Sequence, residues 1–276
     1  MNIATRRLSN GVDMPIVGFG TYKLHNKDNE VSNIVREAIK SGYRSIDTAA
    51  FYDNEEGVGK GIKESNVQRK DLFITTKVWI EDDTYENTLK AFDKSLKELG
   101  LDYIDLYLVN WTTQNIKETW KAMEYLYKQK KVRAIGVCNC NVKQLESIIE
   151  FSEINPMVNQ VEIHPNRTQK DLIKSCKRHN IVVQAWSPIM RGGFSSNEIL
   201  SEIAKQYDKS ISQIILRWHL QNNIIVIPNT SIINRIKENI DIFDFELSME
   251  DMKIIDSINI EERMKPQEYE NLYKVI

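Results

Sequence analysis

Three side chains of the sequence, Asp47, Tyr52 and Lys77, form a set that can move a proton. A phenol has a pKa of about 10, which is high for proton donation near neutral pH, and a neighbouring ammonium lowers that pKa because it favours the phenolate. An aspartate within reach holds the ammonium in place and keeps it charged. These residue types predict general acid catalysis at a carbonyl oxygen, with Tyr52 as the acid, Lys77 as the group that tunes it and Asp47 as the partner of the lysine.

Each of these residues also has a structural interpretation when it is taken alone. Asp47 can cap a helix, Lys77 can be a solvated lysine and Tyr52 can be a half-buried aromatic of a loop. The functional interpretation is favoured because polar or aromatic side chains lie where every apolar segment of the chain ends. The further residues at these positions are Thr21, Asn110, Asn139, Gln160, Trp186 and Asn229.

Short β-rich segments alternate with longer helical segments along the chain. Eight such units begin at IVGFG, YRSIDTA, LFITTKV, YIDLYLVN, VRAIGVCN, MVNQVEIH, IVVQAWS and IIVIPN, and the helical part of the seventh is one run from Asn197 to Gln221. This order predicts an α/β fold, a closed (β/α)8 TIM barrel, in one domain over residues 1–276. Asn10 and Gly11 predict an N-terminal β-hairpin before the barrel. In such a barrel the site lies at the carboxyl ends of the strands.

The alternative fold is a doubly wound nucleotide-binding sheet, which carries G-x-G-x-x-G in its first turn. Gly18 and Gly20 begin that pattern, but position 23 is a lysine. A second glycine series, at positions 57, 59 and 61, falls inside a predicted helix and follows no strand. Neither series supports this alternative.

Composition limits the partners and the compartment. The 276 residues are 41% hydrophobic and 28% charged, with a net charge of -2 and no basic stripe, so we expect no nucleic-acid partner. No apolar run reaches the length of a membrane span or a signal peptide, so we expect no membrane partner and a cytoplasmic protein. Cys138, Cys140 and Cys176 show neither disulfide-framework nor metal-site spacing, and we expect reduced thiols and no metal.

Six segments resemble signatures of the aldo-keto reductases. They are GYRSIDTAAFYDNEEGVGKGI, LFITTKVW, VRAIGVCNC, NQVEIHP, AWSPI and VIPNTSIINRIKENIDIFDFELSMEDM, and the resemblance runs from about Met14 to about Met252. The chain is most similar in type to the short bacterial diketogluconate-reductase and glyoxal-reductase members. The resemblance implies a barrel oxidoreductase that transfers a hydride from NAD(P)H to a carbonyl group, with the dinucleotide extended across the barrel mouth.

The resemblance also implies roles for individual residues. It makes Tyr52, Lys77 and Asp47 catalytic and places Asn110 at the fourth catalytic position. It implies a cofactor site of Thr21, Asp47, Cys138, Asn139, Gln160, Trp186, Ser187, Ile189, Asn229, Thr230, Arg235, Glu238 and Asn239. It implies a substrate site of Tyr22, Trp79, Asn110 and Trp111. His164 is expected to be structural.

Three positions depart from the family pattern. Asn110 replaces a histidine, and an amide can donate a hydrogen bond but cannot become an imidazolium. Asn229 replaces a lysine that pairs with the 2′-phosphate of NADP; because Arg235 remains, NADPH is favoured and NADH is possible. Cys138 replaces a serine and is a weaker donor.

Two functions follow from these features. The first is a monomeric reductase of small aldehydes, ketones or dicarbonyls, since the tail after Ile258 is short and implies an open pocket. The alternative, suggested by Asn110, is a catalytically weakened or inactive module that binds a nicotinamide nucleotide. The retained Tyr52, Lys77 and Asp47 favour the enzyme.

Overall fold

Eight parallel strands form the centre of the molecule, and the computed structural model describes residues 4–25 and 30–264. The short C-terminal tail expected to leave the pocket open lies in part, at 265–276, outside the described residues. The strands are almost wholly buried and rich in β-branched and aromatic residues, as expected for strands covered on both faces. They are β3 (Phe19–Gly20), β4 (Ser45–Asp47), β5 (Phe73–Val78), β6 (Ile104–Val109), β7 (Val132–Cys138), β8 (Val158–Glu162), β9 (Val182–Trp186) and β10 (Ile225–Val226).

Each strand pairs in parallel with the next one along the chain, from β3 to β10. The first and last strands then meet, because the Gly18 N–H donates to the Val226 carbonyl at 2.8 Å and the Gly20 N–H donates to the Pro228 carbonyl at 3.1 Å. A Cβ on Gly20 would lie 3.0 Å from the Ile227 carbonyl oxygen, so the close approach of the backbones at this seam favours glycine. The sheet is therefore closed, which confirms the predicted (β/α)8 barrel.

Helices cover the outside of the barrel with their apolar sides inward. They are α1 (Glu30–Lys40), α2 (Glu55–Glu64), α3 (Tyr85–Leu99), α4 (Ile116–Lys128), α5 (Val142–Phe151), α6 (Lys170–Arg178), α7 (Glu198–Gln206), α8 (Ile211–Gln221), α9 (Ile233–Ile240) and α10 (Met249–Ser257). In the described part of the chain, no helix is both long and apolar enough to cross a membrane.

The prediction of one helical run in the seventh unit is wrong. The run divides into α7 and α8, because Asp208 takes a left-handed conformation with φ 53°. Ser210 then caps α8, where its hydroxyl accepts the Gln213 N–H and the Gln213 side chain returns a bond to the Ser210 N–H. Such a capping box begins a new helix. The final helix, α10, lies beyond the alternating pattern and was not predicted.

The predicted hairpin precedes the barrel as β1 (Thr5–Arg7) and β2 (Asp13–Pro15). Gly11 lies in its turn with φ 87°, a conformation that favours glycine. The Asn10 side chain donates to the Arg133 carbonyl at 2.8 Å, which attaches the hairpin to the amino end of β7. The opposite end of the barrel, where the strands end at their carboxyl termini, is left uncovered by the hairpin.

Candidate active site

Lys77 lies inside the barrel near the end of β5, and its ammonium is surrounded by acceptors. Its Nζ donates to Asp47 Oδ1 at 2.6 Å, to the Thr48 carbonyl at 2.7 Å and to Tyr52 Oη at 3.3 Å. An ammonium has three hydrogens, so each hydrogen has a partner. Burial is the largest single effect and lowers the pKa of Lys77, but the neighbouring Asp47, Tyr52 and Cys138 together outweigh burial and raise that pKa. Lys77 is therefore a charged group held in one orientation.

Tyr52 ends a short 3-10 turn at Ala50–Tyr52, directly after β4, and lines the cavity at the barrel mouth. Burial raises its pKa to about 12, while Lys77 acts in the opposite direction. Lys77 thus lowers the pKa of Tyr52 as expected, but desolvation of the phenolate outweighs the ammonium, and the net pKa lies above the ordinary value of about 10. The phenol retains its proton at neutral pH, as an acid must.

Asp47 connects Lys77 to Gln160, on β8. Its second oxygen, Oδ2, accepts the Gln160 Nε2–H at 2.7 Å, so both carboxylate oxygens are paired. Thr21 is fully buried and its hydroxyl donates to the Asp47 backbone carbonyl at 3.0 Å. Thr21 does not line the cavity and instead fixes the end of β4. The carboxylate is thus held from two sides.

Asn139 follows β7 and joins two other strand ends. Its Nδ2 donates to the Asn110 carbonyl at 3.0 Å, and its Oδ1 accepts the Trp186 indole N–H at 2.8 Å. These partners fix both ends of the amide and orient the indole ring. Asn139 has φ 60°, a conformation that asparagine tolerates better than most residues. Asn110 lines the same cavity and is 8% exposed.

A cavity of about 700 Å³ extends across the barrel mouth over these residues. Of the residues predicted for the site, Thr21, Lys77 and Cys138 are buried behind its wall. All the others line it: Tyr22, Asp47, Tyr52, Trp79, Asn110, Trp111, Asn139, Gln160, Trp186, Ser187, Ile189, Asn229, Thr230, Arg235, Glu238 and Asn239. The sequence pattern therefore selected residues that the fold brings together.

The donor set of this cavity fits a nicotinamide dinucleotide. Its lining includes the Gln160 amide and the Trp186 indole, which suit a carboxamide and a flat heteroaromatic ring. Its lining also includes the cations Arg191 and Arg235, which suit phosphate groups. A cavity of this volume, lined by both aromatic and polar side chains, is large enough for a cofactor.

Asn229 and Cys138, two residues predicted to bind the cofactor, form contacts within the protein that give each of them a structural role. The Asn229 amide donates to the Tyr22 carbonyl, so it joins the loops after β10 and β3. The Cys138 thiol is 1% exposed and contacts Gln160 Oε1 at 3.8 Å, and burial raises its pKa. Cys138 therefore lies beside Gln160 as a neutral thiol.

The wall near Tyr52 is aromatic, as predicted from Tyr22, Trp79 and Trp111. The rings of Tyr22 and Tyr52 lie 5.0 Å apart between centroids. Phe51, which sequence reasoning missed, stacks on Trp79 at 3.9 Å and is 39% exposed. Its position next to Tyr52 was the available signal.

Further lining residues were missed in the loop after β9. Met190, Arg191 and Gly192 all have positive φ, and Arg191 places its guanidinium 5.5 Å from the centroid of the Tyr22 ring, across the cavity. Backbone conformations of this kind are costly for residues other than glycine and are not encoded by any periodicity. His164, expected to be structural, is buried and contacts Glu162 Oε1 at 3.1 Å, outside the cavity.

A closed parallel barrel with a long cleft across the carboxyl ends of its strands is the architecture of a barrel enzyme. The model of the Aldo/keto reductase family matches residues 16–260. The chain belongs to this family and is an NAD(P)H-dependent oxidoreductase that acts on carbonyl groups.

Relatives cover nearly the whole chain. Glyoxal reductase of Bacillus subtilis (strain 168) is 55% identical over 98% of this chain and 98% of that protein. The crystal structure of MGS-M4, an aldo-keto reductase from a Medee basin deep-sea metagenome library, has a TM-score of 0.92 and 46% identity and covers 95% of this chain and 97% of its own. An aldo-keto reductase of Bombyx mori in complex with NADP has a TM-score of 0.92 and 35% identity, with 98% of each chain covered.

Proposed function

We propose that this protein reduces small aldehydes and dicarbonyls with NADPH, with Tyr52 as the general acid. The observation that carries the proposal is the buried chain from Asp47 through Lys77 to the Tyr52 hydroxyl, which opens into a cavity beside Asn110 and Trp186. The similarity to a glyoxal reductase supports dicarbonyls as substrates. The exposed stack of Phe51 on Trp79 leaves an apolar wall beside the acid.

A nicotinamide cofactor held by the residues of the cavity would supply the hydride that reduces the carbonyl carbon. Tyr52 donates its proton to the carbonyl oxygen, on which negative charge develops. Lys77 stabilises the phenolate that remains, through the N–H directed at Tyr52 Oη. Asp47 keeps the lysine charged and in place. Asn110 donates a hydrogen bond to the same oxygen, which helps to orient the substrate.

The second candidate function is a nucleotide-binding module with little catalysis, and it rests on Asn110. None of the four histidines in the sequence, all of them within the described residues, lines the cavity, so no imidazole replaces the one that Asn110 lacks. Loss of a proton-transfer helper lowers a rate by about 10²-fold or more. The intact Asp47, Lys77 and Tyr52 chain favours the enzyme.

NADPH is proposed over NADH because of charge. Arg235 is exposed, lines the cavity and can make bidentate contacts to a 2′-phosphate. Asn229 adds no charge, and its amide is directed at the Tyr22 carbonyl. The NADP complex of the Bombyx mori relative supports the same choice. We further propose that the chain acts as a single-domain, cytoplasmic monomer without a nucleic-acid partner.

The test is oxidation of NADPH, and separately of NADH, by the purified protein with glyoxal, methylglyoxal and simple aldehydes. We expect turnover with NADPH, and a loss of about 10²-fold or more in Tyr52→Phe, which lacks the acidic proton. Tyr52→Phe should still bind the cofactor, and this separates lost chemistry from lost folding. A wild-type protein that binds the cofactor without turnover, and that gains turnover in Asn110→His, would establish the second candidate.

A further inference from the structure

Gln184 has no role in the proposed mechanism, yet it lies directly behind the cofactor cavity. It belongs to β9 and is in register with Gln160 of β8. Residues in register on neighbouring strands point to the same side of a sheet, so both amides lie inside the barrel. Gln160 lines the cavity, whereas Gln184 is completely buried beneath it.

Hydrogen bonds fix the orientation of the Gln160 amide. The Asp47 carboxylate can only accept, so the NH2 end of Gln160 faces it, at 2.7 Å. The other hydrogen of the same Nε2 goes to Gln184 Oε1 at 2.8 Å. Gln160 Oε1 is left with the Cys138 thiol at 3.8 Å, which is a weak donor. This oxygen can therefore accept a further hydrogen bond from a ligand.

The observed orientation of the Gln184 amide costs the protein stability, because it leaves a buried donor without an acceptor. Its buried Nε2 has no hydrogen-bond partner among the described residues. An apolar side chain of equal length would avoid this cost, and a reversed amide would set two NH2 groups against each other. The benefit that offsets this cost is the hydrogen bond that Gln184 Oε1 accepts from Gln160.

We infer that Gln184 is a positioning residue for recognition of the cofactor carboxamide. This inference rests on the proposed nicotinamide site. By holding the Gln160 NH2 group between two acceptors, Gln184 leaves Gln160 Oε1 as the acceptor for the carboxamide N–H. Without the Gln184 oxygen, Asp47 still faces the NH2 end of Gln160, but the amide plane loses its second fixed partner and the oxygen is held less firmly toward the ligand. The effect therefore requires a ligand that has an N–H to donate.

The test compares two ligands that differ in that N–H group. NADP+ carries a carboxamide, and 3-acetylpyridine adenine dinucleotide phosphate carries an acetyl group of similar shape without the N–H. Dissociation constants are measured by calorimetry for the wild type and Gln184→Met, which keeps the side-chain length. We expect a rise of about 3- to 10-fold for NADP+, the range of one neutral hydrogen bond, and less than about 2-fold for the analogue.

Ser45→Ala is the matched control, because it also alters a buried polar atom that has no hydrogen-bond partner among the described residues. We expect its ratio of the two dissociation constants to equal that of the wild type. Equal losses for both ligands in Gln184→Met would show general damage to the site and overturn the inference. Gln184→Leu makes the same comparison if the methionine variant does not fold. A wild type that binds neither ligand would instead overturn the proposed function.

Discussion

Removal of the Lys77 ammonium should destabilise the protein strongly. The Lys77→Met variant loses the ion pair to Asp47 at 2.6 Å and the bond to the Thr48 carbonyl at 2.7 Å, in a place where both charged side chains are at most 2% exposed. The Asp47 carboxylate is then left buried without its counter-charge. Breaking a buried pair in this way costs about 3–5 kcal/mol. In a chain of 276 residues that loss lowers the unfolding midpoint by roughly 5–9 °C.

The assay is urea and thermal unfolding at pH 7 of the wild type, Lys77→Met, Asp47→Asn and the double variant. The double variant leaves neither charge buried without a partner. Its loss of unfolding free energy should therefore be smaller than the sum of the two single losses by about 2 kcal/mol or more. Lys121→Met is the control, because Lys121 pairs with Glu118 at 2.8 Å on the exposed surface of α4 and its midpoint should not change. Two results would refute a large contribution of the Lys77–Asp47 ion pair to stability. One is a loss of unfolding free energy in the double variant equal to the sum of the two single losses, and the other is a Lys77→Met variant as stable as Lys121→Met.

Three other outcomes follow from the site and the barrel. Burial raises the pKa of Tyr52 to about 12, so the proposed acid stays protonated and kcat/KM for reduction should be constant from about pH 6 to pH 9. A fall in kcat/KM centred near pH 6.5 would indicate that a histidine is the acid instead. Arg235→Gln should raise the Kd of NADP+ about 10-fold or more while the Kd of NAD+ changes little, and equal changes would disprove the phosphate contact. Asp105→Asn should cost at least about 2 kcal/mol in urea unfolding with NADP+ binding unchanged, because Arg69 and Arg133 both pair with this buried carboxylate at the amino end of the barrel.

The barrel could be predicted because its repeat is local. Each strand is an apolar run followed by a helix, and the position where the run ends determines which side chains reach the mouth. Asp47, Asn110, Asn139 and Trp186 were found in this way, and all four line the cavity. The roles of these residues in binding and catalysis stay predictions, as does the single-domain organisation.

The features that were missed depend on contacts between distant parts of the chain or on unusual backbone angles. Arg191 reaches the cavity through a run of positive φ angles that no spacing reveals. The division of α7 from α8 depends on the left-handed Asp208. The raised pKa of Tyr52 results from the depth of burial, and a list of neighbouring charges does not give that depth.

With an asparagine at position 110, the charged groups of the proposed site lie in one chain of residues, Asp47 and Lys77 beside Tyr52. An amide can orient a carbonyl but cannot carry a charge, so in the proposed mechanism the phenolate that forms at Tyr52 depends on Lys77 for its stabilisation. Lys77 in turn depends on Asp47, and Asp47 has its second oxygen paired with Gln160. Because Gln160 also lines the cavity, the proposed acid and the proposed cofactor site share a single buried network. In this proposal the arrangement of the acid and the binding of the cofactor are coupled through Asp47.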